Sequence, residues 1–178
     1  IWISCKPYAG ILNGAENASI LCNIIDKKHV LGGLCKIISK IEDYGIINHI
    51  SYEPTIVFGE LDNKNSKRAI ALEQLFLNAG IKTILAEDIQ KEIWTKFLFI
   101  STISAIGALT RATLGEMIAK PQIKKMMFQT AKEIECIALA KGINFPKDTI
   151  AKQFQIIDSQ PYNATSSLQR DILEGKPS

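Results

Sequence analysis

Several signatures that would assign a function at once are missing from this 178-residue sequence. It contains no G-x-G-x-x-G run, the glycine pattern that holds a dinucleotide pyrophosphate. Its four cysteines form no C-x-x-C pair and only two histidines are present, so no metal site is predicted. Neither a Ser/His/Asp nor a Cys/His arrangement for nucleophilic catalysis is visible.

The sequence also lacks a large excess of positive or negative charge. Lys and Arg number 21 against 18 Asp and Glu, a net charge of +3, so the sequence does not indicate a nucleic-acid-binding surface. The hydrophobic share of 47% excludes a disordered chain and supports a sizeable core. The longest mainly apolar stretch, residues 97–109, is thirteen residues long and is interrupted by Ser101, Thr102 and Ser104. A membrane-spanning helix requires roughly 20 such residues, so no membrane partner is predicted.

The sequence also lacks a basic leader and a cleavage site at its start. We interpret the cysteines as buried, reduced thiols, which together with the missing leader predicts a cytoplasmic protein. The chain begins at Ile1 without a methionine, in the middle of a predicted strand. We therefore expect it to be part of a longer protein.

The hydrophobic periodicity changes near Asp88, from mainly strand-like to helical. Before this point, strands are predicted over residues 1–5, 29–41, 46–50, 55–60 and 81–86, with a helix over residues 66–80. After it, helices are predicted over residues 89–109 and 121–142, followed by two more near Pro146 and Pro161. A turn at residues 43–45 joins the middle strands into a predicted meander. The change of period predicts two domains, residues 1–87 and 88–178.

The apolar helix of residues 89–109 carries one lysine, Lys96, near its start. A lysine at the entrance of an apolar environment has a lowered pKa and can deliver a proton to an oxygen that becomes negative. Ile100 and Ser104 follow on the same helical face. The alternative is that Lys96 reaches solvent while its stem covers Trp94 and Phe97.

Two other segments have residue types that can bind a ligand. Ser166 and Gln169 match a capping box, and the Ser167 hydroxyl beside it could bind a carboxylate or hydroxyl. Asn13 stands in an Asn13-Gly14 turn that requires a positive φ, and its amide could both donate to and accept from a ligand. Capping alone and a simple turn remain the alternatives for these segments.

Taken in order, the motifs resemble the ketopantoate reductase (2-dehydropantoate 2-reductase) family. The most specific pair is the Trp94-x-Lys96 helix followed by Ser166-Ser167-x-x-x-Asp171. The other carriers are Leu12-Asn13-Gly14, Val30-Leu31-Gly32-Gly33, residues 45–49, Phe58-Gly59-Glu60, Leu109-Thr110-Arg111 and Gly115-Glu116. The resemblance covers nearly the whole chain.

The resemblance implies an α/β fold, the remnant of a Rossmann-like dinucleotide-binding domain over residues 1–87. An all-α helical domain over residues 88–178 follows, similar to the C-terminal domain of 6-phosphogluconate dehydrogenase, with the active site in the cleft between them. The implied reaction is the NADPH-dependent reduction of a small 2-keto acid, from 2-dehydropantoate to pantoate in pantothenate biosynthesis. A cytoplasmic homodimer is the expected assembly.

The resemblance also assigns roles to individual residues. Lys96 would be the general acid that protonates the forming alkoxide. Asn13 would contact both the nicotinamide and the substrate, and Lys6 would lie near the cofactor. Ser167 and Ser104 would bind the substrate.

The sequence departs from the family in three ways. The glycine fingerprint is absent, and the usual substrate-binding glutamate would fall at position 179, beyond Ser178. Ile100 stands where many members have asparagine, and it cannot bind a substrate hydroxyl. Two alternatives therefore remain: a related 2-hydroxy-acid dehydrogenase with another substrate, or a non-catalytic helical module for binding or dimerisation.

Overall fold

The computed structural model describes residues 8–10, 14–50 and 53–177. The chain divides into two compact units, the first ending at Ile93 and the second beginning at Trp94. An α/β part comes first and a helical part follows, as the sequence predicts. The change of period near Asp88 lies just before the helix in which the two units divide.

Within the described residues, all of the strands lie in the first unit. They are β1 (Tyr8–Gly10), β2 (Val30–Lys36), β3 (Ser39–Asp43), β4 (Ile46–His49), β5 (Thr55–Glu60) and β6 (Thr83–Leu85). Four of them form one sheet in the order β1-β2-β5-β6. β1 is parallel to β2, β5 is antiparallel to β2, and β6 is parallel to β5.

The predicted meander is wrong. β3 and β4 pair only with each other in a separate two-stranded sheet, and β2 pairs directly with β5. The reason is burial: Val57 and Phe58 of β5 are fully buried, whereas the cross-strand pair Ile41 and Ile47 is 80% and 71% exposed. The strand predicted over residues 29–41 is therefore two strands, of which only β2 joins the core.

The helices are α1 (Asn17–Cys22), α2 (Lys67–Asn78), α3 (Ile89–Thr110), α4 (Leu114–Ala119), α5 (Pro121–Ala140), α6 (Thr149–Asp158) and α7 (Ser167–Leu173). A short 3-10 turn covers Lys27–His29. The sequence does not predict α1, because this helix is only six residues long and has no side-chain cap at Glu16. With β1 and β2, α1 completes a β-α-β unit.

The ends of α2 and α3 follow the expected signals. Ser66 caps α2 by accepting a hydrogen bond from the Ala69 N–H at 3.1 Å, and Gly80 follows the helix with a φ of +73°. Asp88 caps α3 by accepting from the Lys91 N–H at 3.0 Å. Because Gly80 has no Cβ, it adopts the left-handed conformation without strain.

α3 is 22 residues long, and an 18-residue window within it has a mean hydropathy of 1.4. It is therefore long and apolar enough to cross a membrane, which the thirteen-residue apolar stretch did not reveal. A single helix of this kind is weak evidence, because the core helix of a soluble protein passes the same test. Its buried residues are Ile89, Ile93, Trp94, Leu98, Thr102, Ser104, Ile106 and Gly107.

The second unit packs its helices around an apolar core. The buried members of that core are Ile106, Leu114, Met117, Met127 and Ile157. α5 begins at Pro121, as predicted, and Gly142 follows it with a φ of +80°. Cys136 is exposed on α5, so the expectation of buried thiols is wrong there.

Candidate functional site

The central candidate, Lys96, lies near the start of the part of α3 that belongs to the second unit. The side chain is half-buried, and its neighbours on the helix, Trp94 and Leu98, are only 4% and 1% exposed. The Phe97 ring packs edge-on against Trp94, with centroids 5.4 Å apart. Lys96 is thus a partly exposed cation in an otherwise apolar stretch of helix.

The predicted face of α3 continues from Lys96 through two further positions. Ile100 and Ser104 follow at four and eight residues, which places all three on one side of the helix. Ile100 is half-buried, but Ser104 is only 6% exposed. A hydroxyl that binds a substrate must be accessible to it, and the buried side chain of Ser104 does not show such access. The substrate role of Ser104 therefore stays a prediction.

The predicted capping by Ser166 is confirmed, but the capping box does not close. The Ser166 hydroxyl accepts from the Gln169 N–H at 3.2 Å. The Gln169 side chain does not return to the cap; it donates through Nε2 to the Ala112 carbonyl oxygen at 2.8 Å. A closed capping box is found instead at the start of α4, between Thr113 and Glu116. Ser167 is exposed as the first residue of α7.

Asn13 and Lys6 lie outside the described residues, so their roles stay predictions. Gly14 has a φ of +143°, which confirms the positive φ expected at the Asn13-Gly14 turn. In the sequence, Asn13 stands between the carboxyl end of β1 and the start of α1. Ligands of α/β sheets bind beyond the carboxyl ends of parallel strands.

The first turn of α3 contacts β2, and these contacts extend to the carboxyl end of that strand. Ile89 packs so closely on β2 that a Cβ at Gly32 would lie 2.9 Å from its Cγ1. One turn later, Glu92 accepts a hydrogen bond from Lys36 Nζ at 3.1 Å, at the carboxyl end of β2. The absence of a side chain at Gly32 therefore allows the first turn of α3 to pack closely on β2.

A polar cluster around Glu60 lies at the carboxyl end of β5. Glu60 accepts from Arg68 at 2.6 and 2.7 Å and from the Ser66 hydroxyl at 2.5 Å. The hydrogen bond from Arg68, and then that from Ser66, lowers the pKa of Glu60, and the same pairing raises the pKa of Arg68. An open cleft of about 610 Å³ adjoins this pair.

The Glu60–Arg68 pair has the character of a structural link. Both groups are charged and satisfied, and Arg68 Nη1 also donates to the Lys28 carbonyl oxygen. The sequence shows Glu60 only as part of a family motif and gives no sign of this ion pair, because the partner lies eight residues away across a turn. Among the described residues, no group of three or more His, Cys, Asp or Glu side chains could hold a metal ion.

The fold, an α/β unit followed by a helical unit, is that of oxidoreductases of the ketopantoate reductase type. Residues 88–178 match the family model described as ketopantoate reductase PanE/ApbA C terminal. The chain belongs to this family.

Curated relatives match along nearly the whole chain. An uncharacterized oxidoreductase, YkpB of Bacillus subtilis, is 31% identical over 165 residues, which cover 93% of this chain and 54% of the relative. The 2-dehydropantoate 2-reductase of Archaeoglobus fulgidus is 28% identical over 174 residues, 98% of this chain and 57% of the relative. The chain thus spans about half the length of these relatives.

Solved structures show the same fold. The 2-dehydropantoate 2-reductase of Geobacter metallireducens superposes with a TM-score of 0.86 at 20% identity, covering 97% of this chain and 57% of that one. D-mandelate dehydrogenase in complex with NADH superposes at 0.83 with 15% identity, covering 94% and 57%. A dimeric ketopantoate reductase from Staphylococcus aureus superposes at 0.74 with 23% identity, covering 87% and 52%.

Proposed function

We propose that this chain forms part of an NADPH-dependent 2-keto-acid reductase that converts 2-dehydropantoate, or a closely related substrate, to the 2-hydroxy acid. In the first case the product is pantoate and the pathway is pantothenate biosynthesis. The observation that carries the proposal is the half-buried Lys96 on the apolar helix α3 of a chain that belongs to the ketopantoate reductase family.

The reaction divides the work between the cofactor and the protein. The reduced nicotinamide, when bound, supplies a hydride to the carbonyl carbon. Lys96 stabilises the negative charge that develops on the carbonyl oxygen and donates a proton to it, which completes the hydroxyl group.

The cofactor proposal is supported by the first unit. β1, α1 and β2 form a β-α-β unit of the kind found in dinucleotide-binding domains, with Asn13 in the segment that follows β1. This arrangement fits the nicotinamide end of a dinucleotide, with Asn13 and Lys6 as the proposed contacts. A phosphate-binding glycine fingerprint does not occur in these 178 residues. The preference for NADPH over NADH is therefore part of the proposal.

The substrate-binding residues that we propose are Asn13, Ser104 and Ser167. Ile100, one turn after Lys96, presents an apolar surface where many family members have an amide. That observation favours a second candidate, a dehydrogenase for 2-keto acids with apolar side chains. D-mandelate dehydrogenase, which has the same fold and was solved with NADH, illustrates such a substrate class. We further propose a cytoplasmic homodimer, in line with the dimeric enzyme from Staphylococcus aureus.

The test is an assay of the intact protein with a panel of 2-keto acids and each reduced nicotinamide cofactor. We expect NADPH oxidation with 2-dehydropantoate or with an apolar analogue, and the preferred acid separates the two candidates. The intrinsic fluorescence of Trp94 and Trp2 provides a second readout, because it should respond to NADPH. A protein that neither binds NADPH nor oxidises it with any 2-keto acid would instead be a non-catalytic helical module.

A further inference from the structure

A buried amide lies close to the proposed substrate-binding serine of α7. Gln169 is 1% exposed although it is only the third residue of that helix. Its Nε2 donates to the Ala112 carbonyl oxygen at 2.8 Å, across a sequence separation of 57 residues. Its backbone N–H donates to the Ser166 hydroxyl at 3.2 Å. Gln169 therefore connects the cap of α7 to the turn between α3 and α4.

The α3 side of this contact is shaped to admit the amide. A Cβ at Gly107 would lie 2.7 Å from Gln169 Oε1, closer than side chains approach one another. Since Nε2 is held by Ala112, the amide cannot move aside without losing that hydrogen bond. Gln169 can therefore occupy this position because glycine, at position 107, has no side chain.

The segment before α7 is attached to the same region. The Leu114 N–H donates to the Ala164 carbonyl oxygen at 2.9 Å, and the Gly115 N–H donates to the Tyr162 carbonyl oxygen at 2.8 Å. A helix of seven residues is not stable by itself, so such contacts determine where it lies. The start of α7 is therefore fixed from both sides, by residues 162–164 before it and by Gln169 within it.

We infer that Gln169 is a positioning residue, which holds Ser167 in place for the substrate by anchoring α7 to Ala112 and Gly107. This inference rests on the proposed function, because it takes Ser167 as a substrate-binding residue. Gln169 itself touches no substrate: its amide is buried, whereas the Ser167 side chain two residues earlier is exposed. Losing the anchor should loosen Ser167 and weaken substrate binding more than turnover.

The experiment uses Gln169→Met in the intact reductase, because methionine keeps the length of the side chain but cannot donate a hydrogen bond. We expect the KM for the 2-keto acid to rise about tenfold, with kcat changed by less than about threefold and the KM for NADPH unchanged. Gly107→Ala, which displaces the amide, should give the same result and serves as a second variant. Ile134→Val on α5 is the matched control: it lowers stability within the same unit and should leave every KM unchanged.

A double-mutant cycle with Ser167→Ala then separates positioning from general destabilisation. If Gln169 acts through Ser167, Gln169→Met adds no further KM increase in the Ser167→Ala background. Additive effects, or an unchanged KM in both Gln169→Met and Gly107→Ala, would overturn the inference while the reductase remains active. A wild-type protein that reduces no 2-keto acid would overturn the proposed function instead, and the two failures are therefore distinguishable.

Discussion

Glu60, the last residue of β5, forms a two-pronged ion pair with Arg68 in the first turn of α2. Arg68 Nη2 lies 2.6 Å from Glu60 Oε2, and Arg68 Nε lies 2.7 Å from Glu60 Oε1. The planar guanidinium matches the carboxylate, and the pair links the main sheet to the helix that follows it. The Glu60 side chain is only 10% exposed, so it depends on this partner.

The first prediction concerns the replacement of Arg68 by methionine. Arg68→Met leaves a buried carboxylate with only the Ser66 hydroxyl, and we expect a loss of about 2 kcal/mol in the free energy of unfolding at neutral pH. Because Arg68 lowers the pKa of Glu60 in the folded state, the pair stabilises the protein above the unfolded pKa of about 4.5. That stabilisation is lost as the pH falls through the folded pKa.

Urea denaturation of wild type and variant from neutral to acid pH measures this effect. The difference in the free energy of unfolding between wild type and variant should be largest at neutral pH and should disappear at acid pH. Lys64→Met is the control, since Lys64 pairs with the exposed Asp62 and its replacement should change stability little. A gap that is independent of pH would show that Glu60 is not held as a carboxylate by Arg68.

The second prediction concerns the contact between β2 and α3. Gly32→Ala places a methyl group 2.9 Å from Ile89 Cγ1, and Ile89 is fully buried. We expect overpacking to cost about 1–3 kcal/mol of unfolding free energy, measured by chemical denaturation. In an Ile89→Ala background the added methyl has room, so the cost of Gly32→Ala should be much smaller there. Equal costs in the two backgrounds would mean that Ile89 does not press on β2.

The third prediction concerns Ile100, which we propose to influence the substrate preference. Ile100→Asn restores an amide one turn after Lys96, which can bind the hydroxyl of 2-dehydropantoate. We expect kcat/KM for this acid, relative to an analogue without the hydroxyl, to rise about tenfold. Ile100→Val is the apolar control and should leave the ratio unchanged. The same ratio in Ile100→Asn and wild type would remove Ile100 from the substrate site.

Local signals in the sequence predicted the elements whose ends are marked by nearby residues, such as a helix cap or a terminating glycine. β5 was predicted over residues 55–60 and α2 from Ser66 to Gly80, because caps and glycine stops act within a few residues of the helix end. The start of α5 at Pro121 follows for the same reason. The meander failed, because alternation identifies strands but does not determine which strands pair.

In the candidate site, too, the sequence predicted a local contact but not a long-range contact. The hydrogen bond from Gln169 to Ser166 was predicted, since its partners are three residues apart. The bond from Gln169 to Ala112 joins residues that only the packing of α7 brings together, so the sequence gives no sign of it. The predicted role of Lys96 depends on the family resemblance, because the apolar periodicity of α3 is also compatible with a lysine that reaches solvent.

The central claim is that Lys96 supplies the proton, and the most direct test is Lys96→Ala in the intact protein, with steady-state turnover and NADPH affinity measured together. The account predicts that kcat falls by about 10²-fold or more while the Kd for NADPH stays nearly unchanged. A Lys96→Ala enzyme that reduces its 2-keto acid at the wild-type rate would contradict the account.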